Sequence, residues 1–169
     1  TVFKKIILSD VNLLEMRASE RTPMTVLDLS SKSLPNEIRG NTLENLNNGL
    51  DIPYLIQWTP SITQSSDAGT GMGYTYLRMR GMDQTRINVT INGVPINDPE
   101  SHGVFWANTP DLTSSISSLQ IQRGVGTSTV GAGAFGGSIS MEVGVPEKEA
   151  STKVIFGGGS FGASRATYM

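Results

Sequence analysis

The sequence contains no cysteine. Disulfides, thiol nucleophiles and thiolate metal sites are therefore excluded. The absence does not name a compartment, since an exported protein can do without disulfides. Histidine is almost as scarce, with His102 the only one. Charge of either sign is thin: 13 basic residues against 15 acidic ones give a net −2. That balance supplies no dense basic face and excludes a typical nucleic-acid binder. No apolar run approaches the ~20 residues of a membrane-spanning helix. The start, "TVFKKIILSD", has only a short apolar run, Ile6 to Leu8, and is not a signal peptide.

Glycine, by contrast, is abundant, at 19 of 169 residues. With charged residues at only 17%, this implies a loop-rich domain, or one whose surface meets something other than bulk water. The length suits one ordinary domain.

The densest glycine stretch is "GVGTSTVGAGAFGG", residues 124 to 137. It contains a literal G-x-G-x-x-G at Gly131, Gly133 and Gly136. A dinucleotide loop needs a strand just before it, a helix opening from it and an acidic residue about 20 positions on. Here the segment that follows, "GSISMEV", alternates as a strand. No G-K-[ST] follows either, so it is not a P-loop. The expectation is a tight turn between strands, where glycine permits close approach and positive φ. A literal G-x-S-x-G spans Gly158 to Gly162, but no Asp, Glu or His follows it. The hydrolase elbow needs both partners downstream, so a turn is expected there too.

Four segments alternate with period two: "LRMRGM", "RINVTING", "SLQIQRG" and "GSISMEV". Leu77 and Met79, Ile87 and Val89, Leu119 and Ile121, and Ile139 and Met141 fall on the apolar sides. Such alternation predicts half-buried strands. One small mixed four-stranded sheet, covered on one side by short helices and joined by long loops, satisfies them: an α+β fold. Asn92-Gly93 is a tight-turn signal. Thr42 is expected to cap the helix "LENLNNGL", Asp51 to cap "IPYLIQWT" with Pro53 in its first turn, and Thr109-Pro110 to open a short helix. "SITQSSDAGTGMGYTY" reads as a loop.

Asp98, Glu100 and His102 are ligand types within five residues, but one histidine on an irregular loop is a weak metal pattern. A solvated loop is the simpler reading. Asn88-Val89-Thr90 matches a glycosylation acceptor but lies mid-strand. Two Arg-Gly pairs, Arg80-Gly81 and Arg123-Gly124, each end an alternating strand. Arginine's planar fork favours carboxylates, so the pairs suggest docking against acids outside the sheet. Two ordinary surface arginines are the plain alternative.

These segments, in this order, resemble the plug domain of a TonB-dependent outer-membrane transporter. The resemblance rests on "ERTPMTV", "IQWTPSI", "LRMRGMDQTRINVTINGVPIND", "ISSLQIQRGVGTSTVGAGAFGGSISM" and the tail "GGGSFGASRATYM". The loop "DPESHGVFWAN" is similar to members from the Bacteroidetes lineage. The resemblance implies a plug over 20–146, an N-terminal segment with a TonB box over 1–19, and a linker with the first barrel hairpin over 147–169. The plug would fill a barrel of about 22 strands formed by the following part of the same chain. It implies no enzyme and no cofactor.

The implied partners are the chain's own C-terminal barrel, TonB in the periplasm and an extracellular small-molecule or oligomeric nutrient. The implied location is the outer membrane, with the isolated chain soluble. Arg80 and Arg123 would pair with barrel glutamates. Gly71, Met72, Tyr74, His102, Phe105 and Trp106 would face substrate. Leu13, Leu14, Glu15, Met16 and Arg17 would contact TonB. A stand-alone periplasmic ligand-binding or interaction module sharing the sheet is the alternative. A lone barrel hairpin closes nothing, so the tail is expected to be disordered, folded back or paired with another chain's edge.

Overall fold

The structure is a computed structural model that describes residues 4–9, 36–125, 133–144 and 152–168. Two compact units divide the chain, one of them Leu34–Gly144. In it, strands β2 (Asn36–Arg39), β5 (Ile87–Ile91), β6 (Val94–Pro95), β7 (Ile116–Arg123) and β8 (Gly137–Val143) form one sheet. The order is β2-β7-β8-β5-β6. β5 and β8 run parallel and the other neighbours antiparallel. The fold is thus α+β with a mixed sheet.

The alternation seen in the sequence becomes two unlike faces, because successive residues of a strand point to opposite sides. Ile121, Ile139 and Val89 stand opposite one another across three strands, and so do Ile38, Leu119 and Met141. All six are buried. Fully burying each such side chain contributes about 1.5–3 kcal/mol. Gln120, Ser140 and Thr90 form a polar row on the other face.

Two short helices cover the apolar face: α1 (Gly40–Leu46) through Leu43, and α2 (Ile52–Leu55) through Ile52 and Leu55. Three differences from expectation stand out. α1 starts before Thr42, with Arg39 at its N-cap. α2 ends at Leu55, four residues short of the threonine before Pro60. The helix expected after Thr109-Pro110 is a 3-10 turn, Leu112–Ser114, with Asp111 at its N-cap.

A fourth difference concerns the sheet. "LRMRGM" does not join it. β4 (Thr75–Met79) pairs antiparallel with β3 (Ile62–Ser66), inside the stretch expected to be loop. β4 buries Thr75, Leu77 and Met79 against the core and exposes Tyr76 and Arg78. Alternation tells which face of a strand is buried and not which strand lies alongside. The sheet gains its other strands from β2 and the two-residue β6.

Glycine makes the joint between hairpin and sheet. Gly137 opens β8 between Arg123 of β7 and Ile87 of β5. A Cβ there would overlap Met79 Sδ and Gln122 O. The missing side chain is the socket for Met79, which is 0% exposed. Gly136 likewise leaves room for Met82 and donates its amide to Arg86 O at 2.8 Å. β8 follows directly, so Gly133 and Gly136 open a strand and no helix. Gly131 lies outside the described residues.

The other unit contains β1 (Lys4–Ser9), β9 (Lys153–Gly158) and β10 (Ser164–Tyr168) in the order β1-β9-β10, all antiparallel. The G-x-S-x-G is the connection between β9 and β10, with a 3-10 turn at Ser160–Gly162. The hairpin's second edge is taken by the chain's own β1.

Candidate functional site

The Asn92-Gly93 turn has φ of 49° and 79° at its two residues, and Arg80-Gly81 has 54° and 80°. Both are turns of positive φ. Asparagine and glycine adopt that region readily, whereas arginine does so at a cost of about 1–2 kcal/mol. Arg80 is held there by reciprocal bonds between Met79 and Met82, at 2.9 and 3.0 Å, and by its own amide donating to Ser61 O at 2.8 Å. Its guanidinium lies against Gly124, whose Cβ would overlap Nη1.

Arg123 continues the apolar side of β7 to its end and emerges into solvent. There its Nη1 donates to Pro60 O at 3.2 Å. The turn before β3 therefore receives both arginines, one through its backbone and one through its side chain. Neither has a carboxylate partner, and among the described residues the only ion pair is Arg39–Glu37. Nearby, Arg86 stands 5.9 Å from the centroid of the exposed Phe135 ring.

The expected substrate-facing residues fall into two loops. In the first, between β3 and β4, Tyr74 is 62% exposed and Met72 is exposed too. Gly71 is buried under the ring of Tyr54 and presents no surface of its own. The loop closes through Asp67 N to Tyr74 O at 3.1 Å and Tyr76 Oη to Asp67 Oδ2 at 3.0 Å.

The second loop follows β6. Asn97 anchors it: Oδ1 accepts from Val89 N at 2.8 Å, and Nδ2 donates to Ile87 O and His102 O, each at 2.9 Å. The side chain thus supplies the bonds another strand would have made. Asp98 Oδ2 accepts from Ser101 N, Ser101 Oγ and Glu100 N. Those bonds, with the Ser101 amide foremost, hold the Asp98 carboxyl below the usual range. The carboxylate is thereby occupied within its own loop. No three metal-ligating side chains gather among the described residues. His102 is exposed at φ 59°, and Phe105 beside it is 47% exposed.

Trp106 overturns the expectation placed on it. It is 2% exposed and belongs to the hydrophobic core. The 3-10 turn at Trp106–Asn108 turns the ring inward while its neighbour Phe105 stays out. A large aromatic gains more from core burial than an irregular loop can offer it in water. Leu13, Leu14, Glu15, Met16 and Arg17 lie outside the described residues. Nothing in the sequence marks Asp51 or Tyr54 as partners of the β3–β4 loop, since one reads as a helix cap and the other as a helix residue. Asn97 was visible only as part of "INGVPIND".

Residues 31–138 match the TonB-dependent Receptor Plug Domain. The chain belongs to that family. No curated protein matches it. Its fold is similar to part of the siderophore receptor PirA from Acinetobacter baumannii, at 20% identity and a TM-score of 0.51, over 78% of this chain and 23% of that one. It is similar also to part of the copper transporter OprC, at 19% identity and a TM-score of 0.50, over 75% of this chain and 22% of that one. This chain therefore spans less than a quarter of either receptor. At such identities the likeness is one of fold alone.

Proposed function

We propose that the chain is the gate of a TonB-dependent outer-membrane transporter and not an enzyme. It occludes a barrel, offers Met72, Tyr74, His102 and Phe105 to an extracellular nutrient, and passes occupancy to TonB in the periplasm for energised uptake. The observation that carries this reading is the pair Arg80 and Arg123. Both arginines bond one turn, Arg123 through its guanidinium and Arg80 through the amide of a strained backbone, and among the described residues neither meets a carboxylate. Strain of this kind persists where a surrounding structure uses it. Carboxylates of an enclosing barrel wall are the complementary partner.

In the full-length receptor, replacing both arginines by alanine should raise passive leakage of small solutes or change uptake. Unchanged permeability and uptake in the double variant would remove the docking role. Met72→Ala with Tyr74→Ala should weaken cargo binding, and wild-type affinity would take that loop out of the cargo surface.

A further inference from the structure

Asp51 stands at the N-cap of α2, where an aspartate ordinarily accepts from the helix's own first amides. Its carboxylate makes no such bond. It is turned toward the β3–β4 hairpin, and the residue is 7% exposed. Oδ2 accepts from Thr75 Oγ1 at 2.9 Å in a buried bond. The Asp51 amide donates to Gly71 O at 3.0 Å. One turn along α2, the Tyr54 ring covers Gly71 so closely that a Cβ would lie 3.0 Å from Cγ and Cδ1.

Two residues of one helical turn thus hold the loop at Gly71 and at Thr75, where it enters β4. The loop has little stiffness of its own, since Gly69, Gly71 and Gly73 all take positive φ, at 68°, 81° and 90°. Its shape comes from what it leans on. Among the described residues no cation pairs with the buried carboxylate, and burial pushes its pKa up against the Thr75 bond. An aspartate in that setting is expensive unless the bonds it makes matter.

We propose that Asp51 is the positioning residue of the 69–74 loop. It holds Met72 and Tyr74 outward and ties their displacement to α2, whose Ile52 and Leu55 lie in the core. Its importance for transport rests on the reading of Met72 and Tyr74 as cargo contacts.

The test is amide hydrogen exchange by mass spectrometry on the full chain, with no ligand present. In Asp51→Ala, peptides covering 69–75 should exchange about ten-fold faster, the factor carried by one ordinary hydrogen bond. Peptides from β5, β7 and β8 should keep wild-type rates. Asp51→Asn retains an oxygen acceptor for Thr75 and should restore most of the protection. Unchanged exchange in the loop overturns the proposal, and so does a uniform rise across the sheet. If Asp51→Ala does not fold, Thr75→Val removes the same bond from the other side and should show the same loop-selective rise. Cargo binding that survives Met72→Ala with Tyr74→Ala sinks the cargo reading alone and leaves the exchange result standing.

Discussion

The guanidinium of Arg80 fills the space where a side chain of Gly124 would stand. The two Arg-Gly pairs of the sequence are therefore one structure: the glycine of the second makes room for the arginine of the first. Gly124 itself has φ +93°. Gly124→Ala meets both obstacles, a strained backbone and a collision with Nη1. It should lose about 1–3 kcal/mol in chemical denaturation. Arg80→Ala in the same background removes the collision and should recover part of that loss, which a double-mutant cycle measures.

Arg80 can be probed without touching Gly124. Its φ of 54° suits glycine better than any L side chain. Arg80→Gly and Arg80→Ala both delete the guanidinium, but only glycine relieves the backbone. Arg80→Gly should be the more stable of the two by about 1 kcal/mol. If the docking role holds, both should be equally defective in the receptor. Equal stabilities would show that the turn carries no strain.

Trp106 turns from a surface expectation into a core prediction. Trp106→Ala should cost about 3–5 kcal/mol, as truncation of a buried aromatic does. The indole Nε1 is buried and has no hydrogen-bond partner among the described residues. An unpaired buried donor itself costs about 1–3 kcal/mol. Trp106→Phe removes that donor and should offset much of the lost ring volume, leaving a smaller loss than the alanine variant. Calorimetry on both variants checks the order, and a stable, fully folded Trp106→Ala would contradict the burial.

The difference between Phe105 and Trp106 marks the limit of what the sequence displays. Period two marks β4, β5, β7 and β8 because a buried apolar residue recurs at every second position along each. β2 has one buried hydrophobic, Ile38, and β3 has one, Ile62. A single apolar residue among polar ones has no period, so both strands were silent. Pairing leaves no period either, and so β4, which alternates like β5, β7 and β8, pairs with β3 outside their sheet. In a loop there is no period at all, so nothing local separates an exposed Phe105 from a buried Trp106. The N-cap place of Asp51 was legible from its neighbours Ile52 and Pro53. What its carboxylate bonds was decided by Thr75, 24 residues away.

Two aspartates should act on stability with opposite sign as pH changes. Asp98 is exposed to solvent, and the Ser101 amide, the Ser101 hydroxyl and the Glu100 amide hold its carboxyl low. Its contribution is fully present above the ordinary aspartate value of about 3.9 and is lost as pH falls through the lowered one. Asp51 is pushed the other way, by burial first, with Thr75 and Gly73 opposing. The unfolded chain ionises there before the folded chain does. Stability tied to Asp51 is therefore greatest below about 3.9 and declines as pH rises toward the raised folded value. Asp98→Asn should flatten the acid limb of a stability–pH curve. Asp51→Asn should flatten the slope just above it, because a neutral amide has no ionisation to oppose. Denaturation midpoints at several pH values separate the two. Coincident curves for Asp51→Asn and wild type above pH ~3.9 would show that burial does not govern this carboxylate.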